Sequence, residues 1–227
     1  MMMFFNIEID KIVRSKRRSI ALEISNSGEL IVRAPHSVTM NYLKKLVAGK
    51  SEWIIDKQKV IFKKIEESRK EYRFGGKFYY LGKEYEIIPS YDNENIIYFQ
   101  DNFFINVKYE DQIKDLIAQW YKFQANKIIK DRVFGLSDDF NLDFKKITIT
   151  GAEKRWGSCS SGKHLNFSWR LIMAPVEIID YVVVHELAHL KELNHSSRFW
   201  ALVGSMLPEY KKCEKWLRNN SFKFRLD

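Results

Sequence analysis

Near the end of an apolar run, His185, Glu186 and His189 read H-E-x-x-H, and a third histidine, His195, follows six residues later. Three of the chain's five histidines therefore fall between positions 185 and 195. On a helix of about 3.6 residues per turn, positions i and i+4 share a face with Cβ atoms about 5–6 Å apart. Two imidazoles so placed can meet one ion at about 2.0–2.1 Å each. Glu186 lies one residue round from the first of them, in reach of a metal-bound water without being a ligand, the arrangement that metal-assisted hydrolysis requires. Neutral imidazole is a donor that zinc accepts, and three such ligands leave the ion its double charge and one open position. A glutamate beside that position is a general base and acid.

The flanking sequence predicts a buried helix. Pro175 suits a first helical position, and Glu177 puts a carboxylate in the first turn, where the helix dipole favours it. Ile178, Ile179, Tyr181, Val182, Val183, Val184, Leu187, Ala188 and Leu190 are apolar almost all round. Histidines and a glutamate inside such a helix are costly to desolvate unless a metal facing a cleft satisfies them. Asn194 tolerates a left-handed turn that would swing His195 back toward the ion.

Length and composition exclude other classes. At 227 residues and 45% hydrophobic content the chain is long enough for one large domain or two small ones. No apolar run approaches the roughly eighteen residues of a membrane span. Residues 1–10 turn acidic too early for a signal peptide, and Cys159 and Cys213 lie far apart, outside metal-binding spacing. Both points suit a cytoplasmic protein. The net charge of +9 divides as 19 basic against 15 acidic residues over positions 1–110 and 19 against 14 over 111–227, so it is spread along the chain. The one dense cluster, Arg14, Lys16, Arg17 and Arg18, with a weaker one at Lys223 and Arg225, reads as a solvated loop and strand end. A positive field still favours an anionic substrate or partner, a nucleotide or nucleic acid included.

Patterning divides the chain into a β-rich N-terminal portion with a helical hairpin, residues 1–110, and a catalytic domain, residues 111–227. Ile20, Leu22 and Ile24 alternate with polar neighbours, Asn26-Ser27-Gly28 is a turn, and Leu30-Ile31-Val32 resumes the strand. Helical spacing runs through Leu43, Leu46 and Val47, breaks at Gly49, continues through Trp53, Ile54, Ile61 and Ile65, and ends at Phe74-Gly75-Gly76. Short strands are predicted around 78–81, 85–88, 96–99 and 103–107. Ile113, Leu116, Ile117, Trp120, Phe123 and Ile128 fit one long helix ending near Gly135. A strand at Ile147 and Ile149 and a hairpin follow, its second strand read from the alternation of Leu165, Phe167, Trp169 and Leu171. Phe199, Trp200, Val203 and Leu207 form an amphipathic helix capped by Ser196, and Pro208 opens another.

These residues together resemble a known family. Arg155-Trp156-Gly157-Ser158-Cys159, Leu165-Asn166, Ala174-Pro175, the His185–Leu190 segment, Asn194-His195-Ser196 and Phe199-Trp200 are similar to the YgjP-like zinc metallopeptidases, related to the SprT and WLM types. The resemblance implies zinc bound by His185, His189 and His195, with Glu186 as catalytic base. It also implies an α+β fold: a zincin-like catalytic part with the H-E-x-x-H helix beside a small antiparallel sheet, preceded by the β-rich portion. Glu192 stands where metzincins of the same histidine spacing have glycine, and Met206 has the helical spacing of a core residue rather than of a Met-turn. In glutamate-type zincins the third ligand is a carboxylate on a later helix, which makes Glu209 and Glu214 rivals of His195. Arg155 and Trp156 are candidate substrate contacts at a strand edge able to pair with an extended peptide. Cys159 reads as a small hydrophobe, His164 as a surface residue and His36 as loop.

The expected function is hydrolysis of a polypeptide by zinc-activated water. The alternatives are a zinc-dependent nucleotide phosphoanhydride hydrolase, which needs cationic groups around its substrate, and a nucleic-acid-associated module with structural zinc, which usually takes four protein ligands.

Overall fold

The computed structural model describes residues 7–25, 27–67 and 71–224, without the side chains of residues 64, 65 and 67. The expected turn residue Asn26, the Ile65 side chain, Arg225 and residues 1–6 lie outside the described residues. The chain divides into two compact units, Met1–Arg69 and Lys70–Asp227.

In the first unit, β1 (Lys11–Ser15), β2 (Ala21–Ile24) and β3 (Leu30–Pro35) form a sheet of order β1-β3-β2, with β1 parallel and β2 antiparallel to β3. The inward positions of β3, Leu30, Val32 and Ala34, meet Leu43 and Val47 of α1 (Met40–Ala48) and Ile54 of α2 (Ser51–Glu67) in a small core. Thr39 caps α1 through its side chain, and Gly49 closes it where the spacing predicts the break. The basic cluster proves partly structural. Arg14 sits in β1 and donates to the carbonyls of Pro35 (2.7 Å) and Val38 (2.6 Å), tying down the end of β3.

The unit boundary falls at Arg69, not near residue 110. The four strands that follow, β4 (Lys77–Tyr80), β5 (Lys83–Ser90), β6 (Ile97–Phe99) and β7 (Phe103–Asn106), belong with the second unit, because Phe78, Ile87, Phe103 and Ile105 share one core with the helices after them. Their order is β4-β5-β7-β6. The corrected boundary also redistributes the charge: Met1–Arg69 holds 14 basic against 8 acidic residues and Lys70–Asp227 holds 24 against 21, so most of the excess lies in the smaller unit.

Across this sheet runs α3 (Ile113–Asp139), which buries Ile113, Ile117, Tyr121, Ala125, Ile129, Val133 and Ser137, a stripe recurring every fourth residue. Phe123, expected in that stripe, is 68% exposed. The helix also passes through Gly135, because Val133 and Ser137 on either side are packed and outweigh the ~1 kcal/mol that glycine costs a helix.

A second sheet holds β8 (Lys146–Thr150), β9 (Gly157–Cys159) and β10 (His164–Ser168) in the order β8-β10-β9, with β9 antiparallel and β8 parallel to β10. Trp169 and Leu171 do not continue β10. Residues Trp169–Met173 form a buried 3₁₀ turn, whose three-residue repeat also puts apolar side chains inside. This turn carries the chain into α4 (Val176–Ala188), with Pro175 at the cap rather than inside the helix. Leu81 (φ 47°) and Gly82 (φ 83°) form the tight turn between β4 and β5, and their amides donate to the carbonyls of Ile172 (3.0 Å) and Met173 (3.1 Å). A side chain at Gly82 would lie 2.6 Å from Pro175 Cγ, so this turn fits against the start of α4 only as glycine. A bidentate Arg132–Asp180 ion pair ties α4 to α3. Two helices complete the unit, α5 (Ser197–Met206) and α6 (Tyr210–Asn220), followed by a 3₁₀ turn, Ser221–Phe224. Among the described residues no helix is long and apolar enough to cross a membrane.

Candidate metal centre

The last turn of α4 delivers the H-E-x-x-H residues. His185 lies in that turn, and His189 is the C-cap at φ −65°, ψ −15°, helical enough to keep the i,i+4 relation. The chain then reverses through amides of Leu190, Lys191 and Glu192 that donate to the carbonyls of Leu187 and Ala188. Asn194 does not adopt the expected left-handed conformation; these short-range bonds make the turn instead. Ser196 accepts from Phe199 N and starts α5, which fixes His195 just ahead of the cap.

One ring nitrogen from each of His185, His189 and His195 lies within 4.8 Å of the others, and these three form the candidate metal-holding group among the described residues. The rivals stand apart. Glu209 caps α6 and pairs with Lys212, and Glu214 lies on α6 outside the cluster. Nδ1 of His189 donates to the Glu192 carbonyl at 2.9 Å, which leaves Nε2 as a lone-pair donor in a fixed direction. Nε2 of His195 and Nε2 of His185 face each other at 2.9 Å, so one ring donates its N–H to the other. Transfer of that proton to Nδ1 of the same ring, its other neutral tautomer, points both lone pairs inward. Phe199, fully buried, stacks on His189 at 4.5 Å and meets His185 and His195 edge-on, holding the three rings from behind.

The electrostatics favour ligand-ready rings. Burial, then the neighbouring His189 and His195, pushes His185 down from 6.5 to about 4. Burial also lowers His189 against the opposing pull of the Glu192 carbonyl. Both shifts favour the neutral ring, the form that binds a metal. Glu186 is 5% exposed, its Oε2 has no hydrogen-bond partner, and burial raises its carboxyl from 4.5 to about 8, with Arg155 pulling it back only in part. A buried carboxylate oxygen without a partner, beside three convergent imidazoles, fits a divalent cation such as zinc.

Beside His185 and Glu186 opens a cavity of about 200 Å³, lined by Trp156, Gly157, Tyr181, Val182, His185, Glu186 and Leu217. Trp156 is thus at the site. Arg155 is exposed and does not line it, acting on Glu186 through its charge alone. Cys159 is half-buried, and burial and then Glu186 push its thiol up to about 11, which disfavours the thiolate that a nucleophile needs. His164 and His36 are exposed and apart from the cluster, and Met206 packs into the core beside Val203.

Val182 and Leu217 line the cavity without a site role in the sequence reading, and two further residues, Tyr181 and Gly157, stand closest to its chemistry. Tyr181, taken as core, precedes His185 by one helical turn and faces the cavity, its phenol pushed up to about 12 by burial and then by nearby acidic groups. Gly157 is the second: a Cβ there would stand 2.6 Å from Cγ and Oε1 of Glu186. Glycine inside a strand marks such a close approach, a signal present in Gly157 but without an address until β9 is seen against α4.

Comparison with known proteins bears on the same residues. No curated protein matches. Among solved structures, the metallopeptidase zymogen of Pyrococcus abyssi abylysin is similar at 24% identity over 40% of this chain and 92% of that one, with a TM-score of 0.37, too low to show a shared fold. The YgjP-like metallopeptidase domain matches residues 18–220, which takes in both units and every residue of the histidine cluster. The chain belongs to the YgjP-like metallopeptidase family.

Proposed function

We propose that this chain is a zinc-dependent peptidase in which His185, His189 and His195 hold the ion and Glu186 is the general base. The observation that carries the reading is Glu186 itself: a buried carboxylate with an unpartnered oxygen, in a residue that lines a cavity together with His185. Zinc held by these three imidazoles would supply a doubly charged Lewis acid. A cation beside Glu186 favours its ionised form, offsetting the burial that raises it. Glu186 then takes a proton from the attacking water and returns it to the leaving amine, the double task for which a carboxyl poised near neutrality suits. Gly157 lets β9 approach this carboxylate, and β9, an edge strand, offers unpaired backbone groups to an extended substrate.

A polypeptide suits the site better than a phosphoanhydride. None of the cavity's lining residues carries an ammonium or guanidinium. Arg170 is taken up by the Gly151 carbonyl and Glu153, and Arg155 and Arg198 are exposed. Three protein donors rather than four weigh against purely structural zinc. The two free thiols suit the reducing cytoplasm, which this proposal takes as the protein's location.

The test is metal analysis of the purified chain together with incubation on unfolded polypeptides and, separately, nucleoside triphosphates. About one zinc per chain and chelator-sensitive polypeptide cleavage are expected, with zinc affinity lowered far more by His195→Ala than by Glu209→Ala. Glu186-dependent phosphate release with intact polypeptides would overturn the peptidase reading, and zinc retained by His195→Ala as by the unaltered chain would sink the three-histidine site.

A further inference from the structure

The cavity beside Glu186 has a shape and a chemistry of its own. Its polar end is His185 and Glu186; its walls are the indole of Trp156, the ring of Tyr181, and the aliphatic groups of Val182 and Leu217. At about 200 Å³ it exceeds the ~150 Å³ that accommodates a benzene ring, room for one leucine, methionine or phenylalanine side chain. The walls are held from outside. Trp156 meets Phe224 edge-on at 5.9 Å, and Phe224, 2% exposed, stacks on Trp216 at 5.9 Å and meets Tyr79 edge-on at 6.0 Å. Trp216 precedes Leu217 on α6, so the same C-terminal segment braces one wall and supplies another. A carboxylate entering this space would lose its hydration against largely apolar walls, with no ammonium or guanidinium in the lining to pair with it.

We infer that this cavity is a side-chain pocket that selects substrates carrying a large apolar residue next to the cleaved bond, with Leu217 setting the size limit. The inference rests on the peptidase reading above. Burying such a side chain, against leaving the pocket empty with glycine or desolvating aspartate on its apolar walls, discriminates by about ten- to a hundredfold.

The experiment maps, by mass spectrometry, the bonds that the zinc-loaded chain cleaves in a randomised nonapeptide library. Leucine, methionine or phenylalanine is expected at one flanking position, and glycine and aspartate are disfavoured there at least tenfold. Leu217→Trp, which fills the pocket, is expected to move the preference to alanine and serine at the same zinc content, and Leu217→Ala to admit tryptophan. Val182→Phe, which fills it from α4, gives the same shift where Leu217→Trp melts early. Turnover is bypassed by measuring the binding of fluorescein-labelled nonapeptides to Glu186→Gln, where leucine over aspartate at the preferred position gains at least tenfold and the gain vanishes on adding Leu217→Trp. Cleavage without apolar preference, or a preference unmoved by the folded pocket variants, overturns the pocket while leaving the peptidase reading intact. Absence of any Glu186-dependent polypeptide cleavage by the zinc-loaded chain overturns both.

Discussion

Helices α3 and α4 both cross the core of the second unit, and each buries a polar group, but on opposite terms. The longer helix, α3, exposes one side and hides Tyr121, whose hydroxyl donates to the Tyr79 carbonyl. The shorter, α4, is buried nearly all round and hides Glu186, whose Oε2 has no partner. The first arrangement is what stability alone produces, since a satisfied buried hydroxyl contributes about 1 kcal/mol. The second costs stability, and a fold retains such a cost where the group has other work to do.

The largest effect that tests this contrast is Glu186→Gln, expected to lower polypeptide cleavage at least a hundredfold while metal content holds, within the range for a removed acid–base group. In the metal-free chain the same substitution is expected to stabilise. The folded carboxyl is raised from 4.5 to about 8, so its contribution is fully present below pH 4.5 and is lost as pH rises through 8. The stability gap in favour of Glu186→Gln therefore opens across that window and levels above it, at a few kcal/mol in urea melts. His185, depressed from 6.5 to about 4, works the other way, losing its contribution as pH falls through that range, and cancels because both proteins carry it. A gap that is flat with pH would remove the cost assigned to Glu186.

Next in size is Gly157→Ala. Its Cβ would stand 2.6 Å from Cγ and Oε1 of Glu186, so strand or carboxylate must move. Activity is expected to fall at least tenfold and stability by about 1–3 kcal/mol, with zinc retained because no histidine is touched. Full activity in this variant would show that β9 does not position the base.

On α3, Tyr121→Phe is expected to cost about 1–2 kcal/mol, a fall of a few degrees in melting temperature, without changing kcat/KM per folded molecule. The smallest effect belongs to Phe123→Ser on the exposed side of the same helix, within about 0.5 kcal/mol of no change. A larger loss would mean that the outward face of α3 is covered by something it packs on.

Sequence reading succeeded where spacing along one element decides geometry. The convergence of His185 and His189 follows from helical pitch, and the Ser196 cap from a hydroxyl ahead of an amphipathic run. It failed where distance along the chain is large. Gly157 acquires its meaning only from α4, and the boundary at Arg69 only from Phe78 and Ile105 packing in the same core as Ile117. Two local misreadings have local causes: alternation through Leu171 is shared by a strand and by a buried 3₁₀ turn, and β1 was hidden by the basic residues that it carries.

The three imidazoles lie on one short hairpin of chain, with His185 and His195 ten positions apart, whereas the strand that confines Glu186 comes from an earlier part of the sequence. Bringing the rings together costs little chain entropy, and joining β9 to α4 costs more. The candidate ligands and the strand beside the candidate base thus come from separate parts of the chain. Under the proposed function, an opening that lifts β9 from α4 would leave the histidine cluster assembled while freeing Glu186, so such a molecule would keep its ligands and lose the positioning of its base.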